Sequence, residues 1–191
     1  MIQKPNRYDD VQAGYSERLP IGGYVLKILD TRIENYSWGD VLILRFDIAE
    51  GDHAGFFQMN FNDQLENRKW KGTYRINLPK NDGTEQDDWA IKKLKSAVTA
   101  IEKSNSGYSW NWDERTLKGK LVGGLFGNKE WEMNGNRGWY TDCRTLCSVE
   151  RIRSGNFQVP ADKHLNSNNG GSNHTASVSD AFSAVDDDIP F

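Results

Sequence analysis

The sequence is poor in the residues that form metal centres. It holds two cysteines, Cys143 and Cys147, and three histidines among 191 residues. The cysteines lie four positions apart in a segment predicted to be a strand, whereas a zinc site needs tighter pairs and more ligands. We therefore interpret both cysteines as core thiols, and we predict neither a metal site nor a cofactor.

Long apolar runs are also missing. No stretch approaches the roughly 18 apolar residues that a membrane span requires. The first residues, MIQKP, do not begin an apolar segment of the signal-peptide type. We expect a cytoplasmic protein that has no membrane partner.

An excess of positive charge is absent as well, because the formal net charge is −3. The acids are unevenly distributed, however. From Gln158 onward the chain carries a charge of −4, which leaves residues 1–157 at +1. A near-neutral domain with a local basic stripe is compatible with nucleic-acid binding, so the net charge does not exclude that function.

A catalytic constellation is not recognisable. The Gly22-Gly23 and Gly123-Gly124 pairs lack the lysine and spacing of a phosphate-binding loop. Asp47, Glu50 and Asp52 resemble the acids of a metal-dependent nuclease, but a turn flanked by acids explains them with fewer assumptions. We predict a protein that is not an enzyme and keep the nuclease as a remote alternative.

Alternation of apolar and polar residues predicts three strands in the first part of the chain. They are Gly23–Glu34, Val41–Ile48 and Gly55–Phe61, with a loop over Asn35–Asp40. In the second strand the even-numbered residues from Leu42 to Ile48 share one face, which predicts a half-buried strand of an antiparallel sheet.

The pattern changes to a helical period over Asp87–Asn105, where Asp87 or Asp88 is a candidate N-cap. Strands are predicted again over 117–126, 129–133 and 139–151. This order predicts an all-β fold with one helix, a five-stranded Greek-key barrel of the oligonucleotide/oligosaccharide-binding (OB) type. Another small barrel or a sandwich with one helix would give a similar pattern.

The chain divides into three regions. Residues 1–157 are predicted to form the OB-fold domain, with residues 1–14 as a candidate mobile arm. Residues 158–185 are rich in Asn, Ser and Gly and predict a flexible linker. Residues 186–191 form a distinct tip, so that a disordered acidic tail is expected to follow the domain.

The tip combines three carboxylates with an apolar end, and it consists of Asp186, Asp187, Asp188, Ile189, Pro190 and Phe191. Acids can steer such a segment to a basic surface, while the terminal ring fills a pocket. The tip resembles the acidic C-terminal end of bacterial single-stranded DNA-binding proteins. This resemblance implies docking of replication, recombination and repair proteins.

Four further segments carry a second resemblance. They are Trp70–Pro79, Ala97–Gly107, Leu117–Gly124 and Val149–Gly155. They are similar to a family of phage and mobile-element proteins regarded as OB-fold single-stranded DNA binders. The resemblance covers most of the domain and implies a relative encoded by such an element, but it assigns no catalytic residue.

Sequence-tolerant binding of single strands needs aromatic rings for the bases and cations for the backbone. Seven tryptophans are present, and residues 68–80 hold five bases and no acid. Trp38, Trp70 and Tyr74 are the foremost stacking candidates, whereas Trp89 and Trp139 are predicted to belong to the core. The full set of predicted DNA-binding residues is Tyr36, Trp38, Arg68, Lys69, Trp70, Lys71, Tyr74, Arg75, Lys129, Trp131 and Arg137.

The sequence thus predicts a protein of a phage or mobile element that coats single-stranded DNA and recruits partners through its tip. An alternative is an adaptor that uses the same tip to recruit or compete for host replication proteins without binding DNA. The sequence leaves open whether the chain forms a homo-oligomer.

Overall fold

A computed structural model describes residues 3–4, 18–65 and 67–165 of the chain. Most of the predicted arm, the predicted linker beyond residue 165 and the tip at 186–191 lie outside the described residues. Among the described helices, none is long and apolar enough to cross a membrane.

The domain is built on one five-stranded antiparallel sheet, which confirms the all-β prediction. The strands are β1 (Gly22–Tyr36), β2 (Gly39–Ile48), β3 (Thr73–Asn77), β4 (Leu121–Met133) and β5 (Asn136–Cys147), in the spatial order β3-β2-β1-β4-β5. One part of β1 pairs with β4 and the remainder with β2. This arrangement is OB-like, although no pairing joins β3 to β5 in the described part of the chain, so the barrel is not closed.

In the described residues, three α-helices and one 3₁₀ helix accompany the sheet. They are α1 (Phe56–Asp63), α2 (Glu85–Ser104), the 3₁₀ helix (Glu114–Leu117) and α3 (Val149–Arg153). Helix α2 is the predicted long helix and ends before Asn105 as expected. Its N-cap is Thr84 instead of Asp87 or Asp88, because the Thr84 hydroxyl accepts a hydrogen bond from the Asp87 amide.

The predicted third strand, Gly55–Phe61, is wrong: most of this segment belongs to α1. The buried Asp47 carboxylate accepts hydrogen bonds from the amides of Phe57 (2.9 Å) and Gln58 (3.1 Å). These amides are in the first turn of α1, where backbone donors have no partner within the helix. A side chain from β2 therefore stabilises the helix against the strand-like alternation of its sequence.

The actual third strand, β3, lies within the basic stretch. Its residues alternate between buried Tyr74 and Ile76 and the more accessible Thr73, Arg75 and Asn77. The same alternation is present in the sequence over residues 73–77, but no strand was predicted there.

Two predicted strands near the C-terminal end of the domain form one continuous strand, β4. A bulge between Leu125 and Phe126 shifts its register with β5, and such a bulge bends a strand without ending it. The last predicted strand is too long, because β5 ends at Cys147 and α3 begins at Val149. Ser148 caps α3 by accepting a hydrogen bond from the Arg151 amide.

Strand β2 is more deeply buried than predicted. Leu42, Leu44 and Phe46 belong to the main core, where Phe46 packs edge-on against Phe57 and Phe126. On the opposite face Val41 and Ile43 are also buried. The register places Ile43 between Arg32 of β1 and Arg75 of β3, whose aliphatic stems can cover it.

The loop predicted over Asn35–Asp40 is a tight turn, since β1 continues to Tyr36 and β2 begins at Gly39. The predicted linker was assigned to begin at residue 158, and the structure describes its first eight residues. Lys163 forms a parallel bridge with Lys129 of β4. The Lys163 amide donates a hydrogen bond to the Asn128 carbonyl, and the Lys163 carbonyl accepts one from the Glu130 amide. Residues 158–165 thus lie along the folded domain.

Candidate nucleic-acid interface

A groove of about 810 Å³ crosses the sheet. One wall is the face of β1, β2 and β3 that points away from the core, and the other is formed by residues 139–144 of β5. Residues from other elements complete the lining, and they are Arg18, Leu19, Trp38, Phe56, Phe57, Asn60, Lys69, Trp70, Lys71, Lys93 of α2, Lys129 of β4 and Lys163. The groove thus includes the opening between β3 and β5.

Two rows of side chains run across the strands on the first wall. Arg32 pairs with Ile43, which pairs with Arg75; in the neighbouring row Asp30 pairs with Arg45, which pairs with Thr73. Residues directly opposite each other on adjacent strands place their side chains on the same face. The register therefore brings three arginines from three strands into one surface.

The lining is strongly cationic. Its two acids are Asp30 and Asp142. Its ten basic residues are Arg18, Arg32, Arg45, Lys69, Lys71, Arg75, Lys93, Lys129, Arg144 and Lys163. A concave surface with this excess of one sign concentrates anions, and a phosphate backbone is one such anion.

Trp38 lines the groove at the turn between β1 and β2 and is half-buried. Its ring stacks on Tyr36, with ring centroids 5.1 Å apart and an angle of 11° between the planes. The Tyr36 hydroxyl donates a hydrogen bond to Glu34 and accepts one from Arg75. Tyr36 itself is outside the groove lining, but it contacts two lining residues: its ring stacks on Trp38 and its hydroxyl bonds Arg75.

The bond to Glu34 has electrostatic consequences. It raises the pKa of Tyr36 and lowers the pKa of Glu34. The nearby guanidinium groups of Arg32 and Arg75 also lower the pKa of Glu34. Both groups therefore stay in their ordinary charge states at neutral pH, which keeps the Tyr36 support for Trp38 intact.

Trp70 is held in place on several sides. Its indole N–H donates to the carbonyls of Phe46 (3.1 Å) and Gly72 (3.0 Å), and its ring packs near Phe61. The guanidinium of Arg45 lies 4.2 Å from the ring centroid. The ring face toward the groove is therefore covered by Arg45, whose planar group can itself stack on a base.

Tyr74 is placed differently from the prediction. It is 8% exposed and belongs to the core cluster, although its edge reaches the groove. Burial raises its pKa. Its ring is thus a core element in this conformation and offers little surface for stacking.

The β5 wall carries a second group of aromatic and charged side chains. Lys129 lies over the Tyr140 ring at 5.6 Å from its centroid, and Trp139 packs edge-on against His164. Partial burial lowers the pKa of Lys129. Burial also raises the pKa of Asp142, although Lys129 and nearby arginine and lysine side chains act in the opposite direction.

Three predicted binding residues lie outside the groove lining besides Tyr36. Arg68 donates a hydrogen bond to the Gln64 carbonyl, and Arg137 forms a 2.7 Å ion pair with Glu132 on the adjacent strand. Trp131 packs so closely on Gly138 that a Cβ there would come within 2.8 Å of the indole nitrogen. The contacts of Arg137 and Trp131 stabilise the β4–β5 hairpin, and that of Arg68 stabilises the segment after α1.

The sequence did not reveal several lining residues. Arg45 and Arg144 are on strands whose alternation was predicted. Their outward direction could therefore have identified them as candidate binding residues. Arg18, Lys93 and Lys163 come from separate elements, and no local pattern brings them together. The two predicted core tryptophans were assigned incorrectly: Trp139 lines the groove, and Trp89 is 47% exposed on α2.

The remaining candidates have structural roles. Asp47 is engaged by backbone amides, and Glu50 forms a 2.5 Å ion pair with Arg153. Cys143 and Cys147 are free and buried, in agreement with their interpretation as core thiols. Within the residues that the structure describes, no group of three or more His, Cys, Asp or Glu side chains is arranged to hold a metal.

Comparison with known proteins adds no family assignment: no family model matches the chain, and the search of curated proteins returns no match.

Proposed function

We propose that this protein binds single-stranded DNA in the groove without catalysing a reaction. The observation that carries the proposal is the groove itself, in which ten cations and the rings of Trp38, Trp139 and Tyr140 line one continuous surface. Cations can follow a phosphate backbone while aromatic rings and guanidinium planes receive the bases.

The position of the groove supports the same function by analogy with the fold class. In OB-folds, oligonucleotides bind on the face of strands 2 and 3 between the β1–β2 and β4–β5 connections. The groove includes that face of β2 and β3, with Trp38 at the β1–β2 turn. Fold analogy alone does not establish function, so the charge and aromatic content of the site carry more weight.

The partner-recruiting part of the proposal rests on the sequence. Residues 186–191 would dock replication, recombination or repair proteins of a bacterial host, as their resemblance to the bacterial tips implies. The resemblance of the domain segments implies that a phage or mobile element encodes the protein. The alternative adaptor shares the tip and differs in that it would not bind DNA.

Intrinsic tryptophan fluorescence during titration with oligo-dT tests the proposal. We expect quenching, and affinity that falls with salt, because each phosphate contact contributes a slope of about −0.7 in log K against log salt. Lys69→Ala removes an exposed groove cation and should reduce the slope by about that amount. Lys95→Ala removes an exposed lysine outside the lining and should leave the slope unchanged.

A chain that neither binds nor quenches at low salt would contradict DNA binding and favour the adaptor. DNA degradation that requires magnesium and disappears in Asp52→Ala would favour the nuclease alternative instead.

A further inference from the structure

A second aromatic surface lies in the segment between α2 and the 3₁₀ helix. Trp112 is 72% exposed, and its ring centroid lies 4.8 Å from that of Trp110. Two adjacent indole rings form a contiguous apolar surface, and contiguous exposed apolar surfaces often mark binding sites. The pair is outside the groove lining and was not among the residues predicted to bind DNA.

The pair rests on a fixed base. Trp110 is half-buried against the core, its indole N–H donates to the Asp113 carbonyl (3.0 Å), and its amide donates to the Glu102 carboxylate (2.9 Å). Trp110 is therefore rigidly held, and it supports the exposed ring of Trp112.

The backbone at Trp112 is strained. Its φ is 67°, in the left-handed region that bulky residues rarely adopt. Strained backbone of this kind tends to be retained where it positions a functional side chain. Here its visible result is an exposed indole, which buries little surface that would offset the strain.

The Trp110–Trp112 pair is connected to the groove through β1. Thr31 lines the groove, and its hydroxyl donates a 2.7 Å hydrogen bond to the carbonyl of Glu114, two residues after Trp112. The Cα atoms of Trp112 and Glu114 are therefore at most about 7 Å apart. This distance corresponds to roughly two base spacings of a stacked strand. Of the two acids that follow Trp112 in the chain, Asp113 forms a 2.8 Å ion pair with Arg115, whereas Glu114 adds a negative charge that stacking on the rings has to outweigh.

We propose that the Trp110–Trp112 pair is a second stacking platform, which receives bases of a single strand that extends past β1 out of the groove. This inference rests on the proposed function. It assigns to Trp112 a binding role only for a DNA strand that is long enough to pass Thr31 of β1.

A ladder of dT oligonucleotides of increasing length tests this platform with the full chain. Wild type and Trp112→Ala should have equal affinity for short oligonucleotides that occupy only the groove. For longer ones the variant should bind about 5- to 150-fold more weakly, since one stacked base contributes roughly 1 to 3 kcal/mol. Trp112→Phe keeps a ring and should follow wild type more closely.

Coincident curves for wild type and Trp112→Ala at every length would overturn the platform while leaving groove binding intact. An equal loss at every length would also overturn it, because Trp112 would then act on the groove or the fold. Failure of the wild type to bind any oligonucleotide is a separate result, which contradicts the proposed function itself.

Discussion

Trp38 stands at the turn between β1 and β2, with Tyr36 stacked on one side of its ring and the groove on the other. The support from Tyr36 reduces the freedom that the ring loses when a base stacks on it. Trp38 and Trp131 were both predicted to bind DNA, but they occupy different places. The first lines the groove, and the second packs against Gly138 on the β4–β5 hairpin.

Replacing Trp38 with alanine should therefore weaken oligo-dT binding by about 5- to 150-fold, the range for loss of one stacked base. Trp131→Ala removes the same side chain outside the groove and should change affinity by less than about twofold. Fluorescence anisotropy with a labelled oligonucleotide measures both. A larger effect at Trp131 than at Trp38 would contradict the assigned location of the site.

Single residues also show how far sequence reasoning can reach. Lys69, Lys71 and Arg75 all line the groove, and the sequence could group them because they are close in the chain, while their contact with DNA stays a prediction. Trp89 and Trp139 were both assigned to the core incorrectly, because proximity in the chain gives no help with burial. Whether a large ring is buried depends on the elements that pack over it, and a single sequence does not contain that information.

Helix α1 shows the same limit at the scale of an element. Its sequence alternates as a strand does, yet Asp47 of β2 supplies acceptors to the amides of Ile48, Phe57 and Gln58. A tertiary contact thus overrides local preference. Helix α2 has a strong amphipathic period and its own cap, so its existence and its end were predictable.

We expect Asp47→Ala to lower the free energy of unfolding by about 2 to 3 kcal/mol, because it leaves backbone donors at the start of α1 without an acceptor. Asp52→Ala removes a neighbouring exposed acid and should change stability by no more than about 0.5 kcal/mol. Urea denaturation followed by circular dichroism measures both values. Equal stability of the two variants would show that Asp47 does not hold α1.

At the scale of the whole molecule, the two acids of the groove oppose its ten cations. Asp30 is exposed, whereas burial raises the pKa of Asp142. Because the folded state holds the Asp142 proton more tightly than the unfolded chain, this group makes stability fall as pH rises through the interval between its unfolded and folded pKa values. Above that interval the folded domain carries the cost of a partly buried carboxylate.

Asp142→Asn should therefore remove that part of the pH dependence and raise the unfolding free energy at neutral pH. Asp30→Asn removes the same charge at an exposed position and should leave stability unchanged. Both variants should bind oligo-dT about two- to fivefold more tightly at low salt, because each removes a charge that repels phosphate. Denaturation between pH 4 and 8 and anisotropy at low salt separate the two effects. A loss of stability in Asp142→Asn at neutral pH would show that the carboxylate is a net stabilising partner of its cations.

The bridge between Lys163 and β4 fixes where the described domain ends. Lys163 lines the groove, and the Leu165 amide donates to the Glu130 carboxylate beside it. Under the proposed function, the predicted linker and the tip at 186–191 would thus continue the chain from the rim of the DNA site. For a flexible chain of this length the root-mean-square reach is roughly 30 Å, which corresponds to an effective concentration in the millimolar range. A partner with only weak affinity for the tip would then be held next to the strand on which it acts, so that tethering rather than tight binding would determine its occupancy.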